Sequence, residues 1–259
     1  MTRCTGHVPR RIKMDLRNKN VLITGAAKRI GREIALSLAR RKANIFVHYH
    51  RSGRAAAALC KEICAASVRA EMAACDFSRA TETRVRSFWR TVENKIGPVD
   101  ILINNASLYV PAVFGKIREK DWNEMMNVNL KAPFFLSQEA GRGMLKRKSG
   151  KIINLLDWAI EQPRQNYLAY TASKAGLQAL TVGLASELAP HVQVNGIAPG
   201  PILPVRGATA KENARVSRQT LAKRFGSPQD IAVAVLYLIE GGDYVTGAVI
   251  PVDGGKRGA

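Results

Sequence analysis

"NVLITGAAKRIGREIA" (Asn20–Ala35) changes its hydrophobic period in the middle. Val21, Leu22 and Ile23 form a short continuous apolar run, as in a strand buried on both faces. Gly25 interrupts it. Beyond Arg29, Ile30, Ile34 and Leu38 recur on one face of a helix. A strand, a glycine turn and a helix in this order form the context of a dinucleotide site. Gly25 permits the tight turn, Gly31 lets helix and strand approach closely, and the helix N-terminus faces a pyrophosphate.

The alternation continues along the chain. "NIFVHYH", "VRAEMAACD", "VDILINNAS", "KIINLL", "HVQVNGIAPG" and "GAVIPVDGG" read as strands. Between them lie helical patterns, among them "TRVRSFWRTVENKIG" and long helices near 119–146, 165–189 and 228–240. Strands alternating with helices imply right-handed crossovers and a parallel sheet covered on both sides. The expected fold is α/β: Rossmann-like, doubly wound, with a predominantly parallel seven-stranded sheet and helices on both faces. Residues 20–259 read as one domain. The basic segment 1–19 is expected to be an unstructured extension or an over-long start. Pro199 to Arg224 is a plain surface excursion or a substrate lid near 199–225; its length and position favour the lid.

The 259 residues allow a sizeable core, and no apolar run reaches the ~18 residues of a membrane span. The N-terminus lacks the apolar stretch of a secretory signal. Cys4, Cys60, Cys64 and Cys75 have no His/Cys partners at zinc spacing, so reduced thiols, no metal and a cytoplasmic address are expected. The net charge of +20 admits nucleic acid, acidic lipid or an anionic ligand. The cations are spread along the whole chain, which favours a basic enzyme surface over a nucleic-acid site.

The second strand distinguishes the two nicotinamide cofactors. An NAD site needs an acid about 20 residues on, for the ribose 2′-hydroxyl. Here the strand ends "VHYHRS" and offers Arg51 and Ser52, while Lys28 and Arg29 lie in the glycine turn. That cationic cluster suits a 2′-phosphate, hence NADP(H). His48 and His50, two apart, would share a strand face, but no third metal ligand is visible.

Together "TGAAKRIG", "NNAS", "NVNLKAPF", "YTASK", "NGIAPGPI" and "VTGAVIPVDGG" resemble the short-chain dehydrogenase/reductase family over about Asn20 to Gly255. The resemblance implies Tyr170 as acid, Lys174 lowering its pKa and holding the nicotinamide ribose, and Asn129 in a proton relay. Asn105 and Ala106 would line the adenosine side, with Asp76 and its neighbour Phe77 at the adenine. Pro199, Gly200 and Ile202 would border the nicotinamide. Thr246 and Gly247 would serve the sheet end and subunit contact, and a homotetramer is implied.

Three positions depart from the common family pattern. Arg29 stands where a glycine is usual, "NNAS" replaces "NNAG" with Ser107, and Asp157 occupies the place of the serine partner of Tyr170. Together with "HYHRS" (Tyr49, His50, Arg51 and Ser52 at the cofactor) these resemble the pteridine reductase branch. By position, Arg29, Ser107, Tyr109, Asp157 and Tyr170 would meet a pterin or folate. Reducing a ring C=N bond needs a hydride on carbon and a proton on nitrogen. A carboxyl can bond ring N–H and amino donors or supply that proton, whereas a serine hydroxyl is far too weak an acid. Asp157 would then need a raised pKa. Two alternatives remain: a 3-oxoacyl thioester or other carbonyl reductase of the same family, and a non-catalytic nucleotide- or nucleic-acid-binding protein.

Overall fold

The computed structural model describes residues 14–204, 207 and 209–258; residues 1–13 of the expected extension lie outside them. Seven strands form one wholly parallel sheet: β1 (Asn20–Ile23), β2 (Asn44–Tyr49), β3 (Ala70–Ala74), β4 (Ile101–Asn104), β5 (Gly150–Leu155), β6 (Val192–Pro199) and β7 (Val249–Val252). Their order is β3-β2-β1-β4-β5-β6-β7. The order reverses between β1 and β4, and ligands of such sheets bind in the crevice outside the strand ends there.

Side chains alternate across the sheet into two cores. On one face Val21, Ile23, Ile45 and Val47 pack with α1 (Arg29–Arg40), α2 (Gly53–Cys64) and α8 (Pro228–Leu236). On the other, Leu22, Phe46, Leu102 and Ile152 meet α3 (Glu82–Ile96), α5 (Ala132–Arg147) and α6 (Leu168–Glu187). The α3 positions Val85, Phe88, Val92 and Ile96 are all buried there, as their spacing predicts.

Some boundaries differ from the periodicity. The helix expected over 119–146 is α4 (Glu119–Met126), a π-helical segment (Asn127–Lys131) and α5. The helix expected to end near 240 passes into a second π-helical segment, Tyr237–Gly241. Order also reaches back before Asn20: Leu16 is buried, and the Asn18 amide donates to the Lys42 carbonyl at 2.9 Å. Within 199–225, α7 (Ala210–Arg218) starts at a reciprocal cap between Thr209 and Glu212 and buries no side chain. Cys60 and Cys75 are half-buried and Cys64 is exposed; all three are free thiols. Among the described residues no helix is long and apolar enough to cross a membrane.

Candidate active site

The phosphate turn is held by backbone geometry that excludes side chains. Gly25 has φ +64°, where L-residues are strained. A Cβ on Gly31 would lie 2.6 Å from both Asn105 Nδ2 and the Gly25 carbonyl. Asn105 Nδ2 donates to the Thr24 and Gly25 carbonyls at 2.8 and 3.1 Å. Thr24 Oγ1 accepts the amides of Asn105 and Ala106, both at 2.9 Å. The turn at the end of β1 is therefore tied to the end of β4, across the switch point. Asn105 acts here by supporting the turn.

His48 is the part of this apparatus that sequence reasoning missed. Its side chain is buried, with Nδ1 accepting the Gly25 amide at 3.0 Å and Nε2 3.0 Å from the Cys75 carbonyl. The carbonyl can only accept, so Nε2 carries the proton. Burial lowers its pKa to about 4, so the ring is neutral at physiological pH. It stacks on Phe77, whose ring lies in the core, so any cofactor contact by Phe77 comes from its backbone. His50 falls beyond β2 and is exposed, its Nε2 3.6 Å from Asp76 Oδ1. The two histidines lie near the same Cys75–Asp76 segment, but one is buried and bonded at both nitrogens and the other is exposed. Their i, i+2 spacing was the only sequence signal, and it says nothing about where the strand ends.

The amides and cations expected at a phosphorylated dinucleotide lie around the turn. The α1 N-terminus has no side-chain cap and no acid in its first turn, so its first amides and dipole stay available to an anion. Lys28, Arg29 and Arg51 are exposed, and Ser52 half-exposed, at the adjoining strand ends. Arg29 has φ +56°, the left-handed conformation that explains a glycine at this place and makes an arginine costly. Ile30 is half-buried against the core that Gly31 approaches. Pro199 and Gly200 close the far side at the end of β6, where a Cβ on Gly200 would lie 2.4 Å from Asp253 Cα. Ile202 is buried beside Gly226. Thr246 accepts the Val194 amide at 3.2 Å, and Gly247, φ +71°, donates to the Val194 carbonyl, so both serve the sheet end.

The chemical centre lies beyond β5. Tyr170 and Lys174 occupy successive turns of α6, and both are buried. Asp157 caps a short 3-10 turn (Trp158–Ile160), its Oδ1 accepting the Ala159 amide at 2.7 Å. Its Oδ2 accepts the Tyr170 hydroxyl at 2.6 Å. Lys174 Nζ donates to the Leu155 carbonyl at 2.7 Å. Burial raises the Asp157 pKa, against the Tyr170 hydrogen bond and the Lys174 and Arg164 charges. Burial and then the Asp157 charge push Tyr170 well above 10. Burial lowers Lys174 to about 8, against the pull of Asp157. Tyr170 is thus raised, against the expectation that Lys174 sets its pKa downward; burial is the first cause and the Asp157 charge the second. The Tyr170 hydroxyl and the Asp157 carboxyl thus each shift the other's pKa.

The remaining candidates surround this pair. Ser107, exposed, stands in the loop beside the pair and works to lower the Tyr170 pKa. Tyr109, 42% exposed, meets Tyr170 edge-on at 4.7 Å and stacks on Tyr167 at 4.4 Å. Arg164 Nη1 donates to the Tyr109 hydroxyl at 3.1 Å. Neither Tyr167 nor Arg164 was among the expected site residues; the only cue was their place between Asp157 and Tyr170. Asn129 sits in the π-helical segment, fully buried. Its Oδ1 accepts the Leu108 amide at 2.8 Å, and its Nδ2 donates to the Leu108 carbonyl and Ser173 Oγ, both at 3.0 Å. It therefore holds the Ser107–Tyr109 loop against α6.

Comparison with known proteins agrees with this geometry. The short chain dehydrogenase family matches residues 19–215. The chain is 35% identical to 5-keto-D-gluconate 5-reductase of Escherichia coli strain K12, over 93% of this chain and 96% of that one. It is 34% identical to the 3-oxoacyl-[acyl-carrier-protein] reductase FabG of Staphylococcus epidermidis, over 92% and 98%. It superimposes with a TM-score of 0.88 on FolM alternative dihydrofolate reductase 1 from Brucella canis, solved with NADP, at 30% identity over 95% and 96%. The chain belongs to the short-chain dehydrogenase family and is one of its oxidoreductases.

Proposed function

We propose that the protein is an NADPH-dependent reductase of pterins, of the dihydrobiopterin or dihydromonapterin type, with dihydrofolate as a further candidate substrate. The cofactor is NADP(H), and when bound it supplies the hydride for the substrate ring carbon. The observation that carries the substrate reading is the 2.6 Å bond between Tyr170 and Asp157, at the place where a serine would steady a ketone oxygen. Asp157, its pKa raised by burial, and Tyr170, which donates to its Oδ2, together relay a proton toward ring nitrogen. Lys174 orients the nicotinamide ribose and keeps a positive charge beneath the pair. Arg29 and Ser107 hold the polar end of the pterin, and Tyr109 covers its face. Asn129 keeps the loop that carries them in register. The stretch 199–225, with the exposed helix α7, closes over the substrate. A homotetramer is part of the same reading.

The test is NADPH oxidation over a panel of dihydropterins, dihydrofolate, an acetoacetyl thioester and 5-keto-gluconate, run with wild type and Asp157→Ser. Dihydropterin turnover that is abolished or nearly so in the variant is expected. Unimpaired dihydropterin reduction by Asp157→Ser sinks the proposal. Turnover confined to the thioester or keto sugar selects the second reading, a carbonyl reductase, which the similarity to the two carbonyl-reducing relatives favours.

A further inference from the structure

The turn that carries Asp157 is fastened at both ends. At its start, Asp157 bonds Tyr170 and Ala159. At its far end, Glu161 Oε1 lies 2.7 Å from Arg257 Nη1, and Gln162 Nε2 donates to the Arg257 carbonyl at 3.0 Å. Lys256 Nζ lies 5.2 Å above the ring of Trp158, in the middle of the same turn. The C-terminal 3-10 turn (Lys256–Gly258) thus grips the Asp157 turn by a charge pair, a carbonyl and a cation over an aromatic face.

That grip has a firm base. Asp253, at the end of β7, is buried and accepts the amides of Gly255 at 2.9 Å and Arg257 at 3.2 Å. Arg257 Nε approaches the same carboxylate at 3.5 Å. One guanidinium therefore spans the end of β7 and the turn that holds Asp157. The segment also carries the far root of the 199–225 stretch: the Ala222 amide donates to the Gly254 carbonyl at 3.0 Å, and a Cβ on Gly255 would strike Leu221 at 2.7 Å. Most ion pairs join exposed groups and are worth little. Glu161 is exposed too, so this pair matters for joining two segments 96 residues apart, one of which carries Asp157.

We propose that Arg257 is a positioning residue for Asp157, acting through Glu161, and that the Asp253–Arg257 turn fixes where the carboxyl meets the substrate. Asp157 depends on this support because it caps a turn only three residues long. The inference rests on the proposed place of Asp157 in the proton path.

The experiment compares Glu161→Gln, Arg257→Gln, the double variant and Arg257→Lys in the full chain, on whichever panel substrate turns over. Hydrogen exchange of the peptide spanning 157–163 is followed in parallel. In each single variant kcat should fall about tenfold, because small misplacements of a reacting group are costly, while KM for NADPH stays constant. The double variant should fall no further than the singles, since one shared contact is removed once. Arg257→Lys should recover part of the loss, and exchange over 157–163 should quicken in the Gln variants. Full kcat with unchanged exchange overturns the proposal, as does faster exchange without loss of kcat when Asp157→Ser is inactive. If Asp157→Ser is itself fully active, the proton path has failed instead, and exchange alone decides: unchanged rates overturn the grip, and faster rates uphold it.

Discussion

The two halves of the sheet handle charge in opposite ways. Around β1, β2 and β3 the cations Lys28, Arg29 and Arg51 remain exposed, and the buried ionisable group, His48, is neutral and bonded at both nitrogens. Around β5 and α6, Lys174 is buried and Asp157 half-buried, with Tyr170 bonded to the carboxylate. A site that binds an anion can leave its charges in water and use a rigid backbone for shape. A site that moves a proton needs groups whose pKa values have been displaced, and burial provides that displacement. The difference predicts that damage to the first half weakens cofactor binding, while damage to the second removes turnover.

The sharpest test of that division is Tyr170→Phe. The ring stays packed, but the proton path is cut and Asp157 Oδ2 loses its donor. A loss of kcat on the order of 10²–10⁴-fold is expected, the usual contribution of general acid catalysis, with NADPH affinity nearly unchanged by titration calorimetry. A loss of NADPH binding as large as the loss of rate would put Tyr170 in the wrong half.

The buried groups also predict opposite pH signatures of stability. Lys174 falls from 10.5 to about 8 on folding. Its folded pKa is depressed, so its stabilising effect is complete above 10.5 and is lost as pH falls to 8, by roughly 3 kcal/mol. His48 falls from 6.5 to about 4, so its effect is complete above 6.5 and lost toward pH 4, again by roughly 3 kcal/mol. Urea midpoints of wild type against Lys174→Met should diverge between pH 8 and about 10, and those of wild type against His48→Gln between pH 6.5 and 4. Using differences removes Cys60 and Cys75, whose thiols are raised to about 11 and act in the opposite sense above pH 9. Parallel profiles for either pair would show that the group is not buried in the form described.

These contrasts explain what could be read from the amino acids alone. The fold was legible because each βα unit repeats a local change of period, from the apolar run of Val21–Ile23 to the spacing of Ile30, Ile34 and Leu38. Gly25 and Gly31 were legible because only glycine fits there. The direction of the Tyr170 shift was not legible, since it depends on burial and on a 2.6 Å contact between residues thirteen apart. His48 was misread for the same reason: its partners, Gly25 and Cys75, lie on other strands' ends. The Arg257–Glu161 contact joins residues 96 apart, and no local pattern marks it.

Cofactor selectivity sharpens the comparison on the side of the first half. Arg51→Asp replaces an exposed cation at the end of β2 with the acid that a 2′-hydroxyl prefers. Loss of one charge-assisted bond to a phosphate is worth ~1.5–3 kcal/mol, so kcat/KM for NADPH should fall by about 10–100-fold. NADH should be affected far less, and kcat at saturating cofactor should stay within a small factor. Equal losses for both cofactors would remove the case for a 2′-phosphate contact at Arg51.

Arg29 belongs to both halves, and its replacement is the smallest and most discriminating change. It holds φ +56° at the first position of α1, a conformation that costs a non-glycine residue ~1–2 kcal/mol. Arg29→Gly relieves that strain but adds backbone freedom to the unfolded chain, worth ~0.5–1 kcal/mol in the other direction. The ligand-free variant should therefore be as stable as wild type or more so, by up to about 1 kcal/mol, read as a small rise in melting temperature. If the arginine is kept for the ligand, the same variant should bind pterin more weakly in the presence of NADP⁺. A lower melting temperature with unchanged substrate kinetics would make Arg29 a structural residue. A higher one with a raised KM for pterin would show strain retained for binding, and would tie the phosphate turn to the substrate as well as to the cofactor.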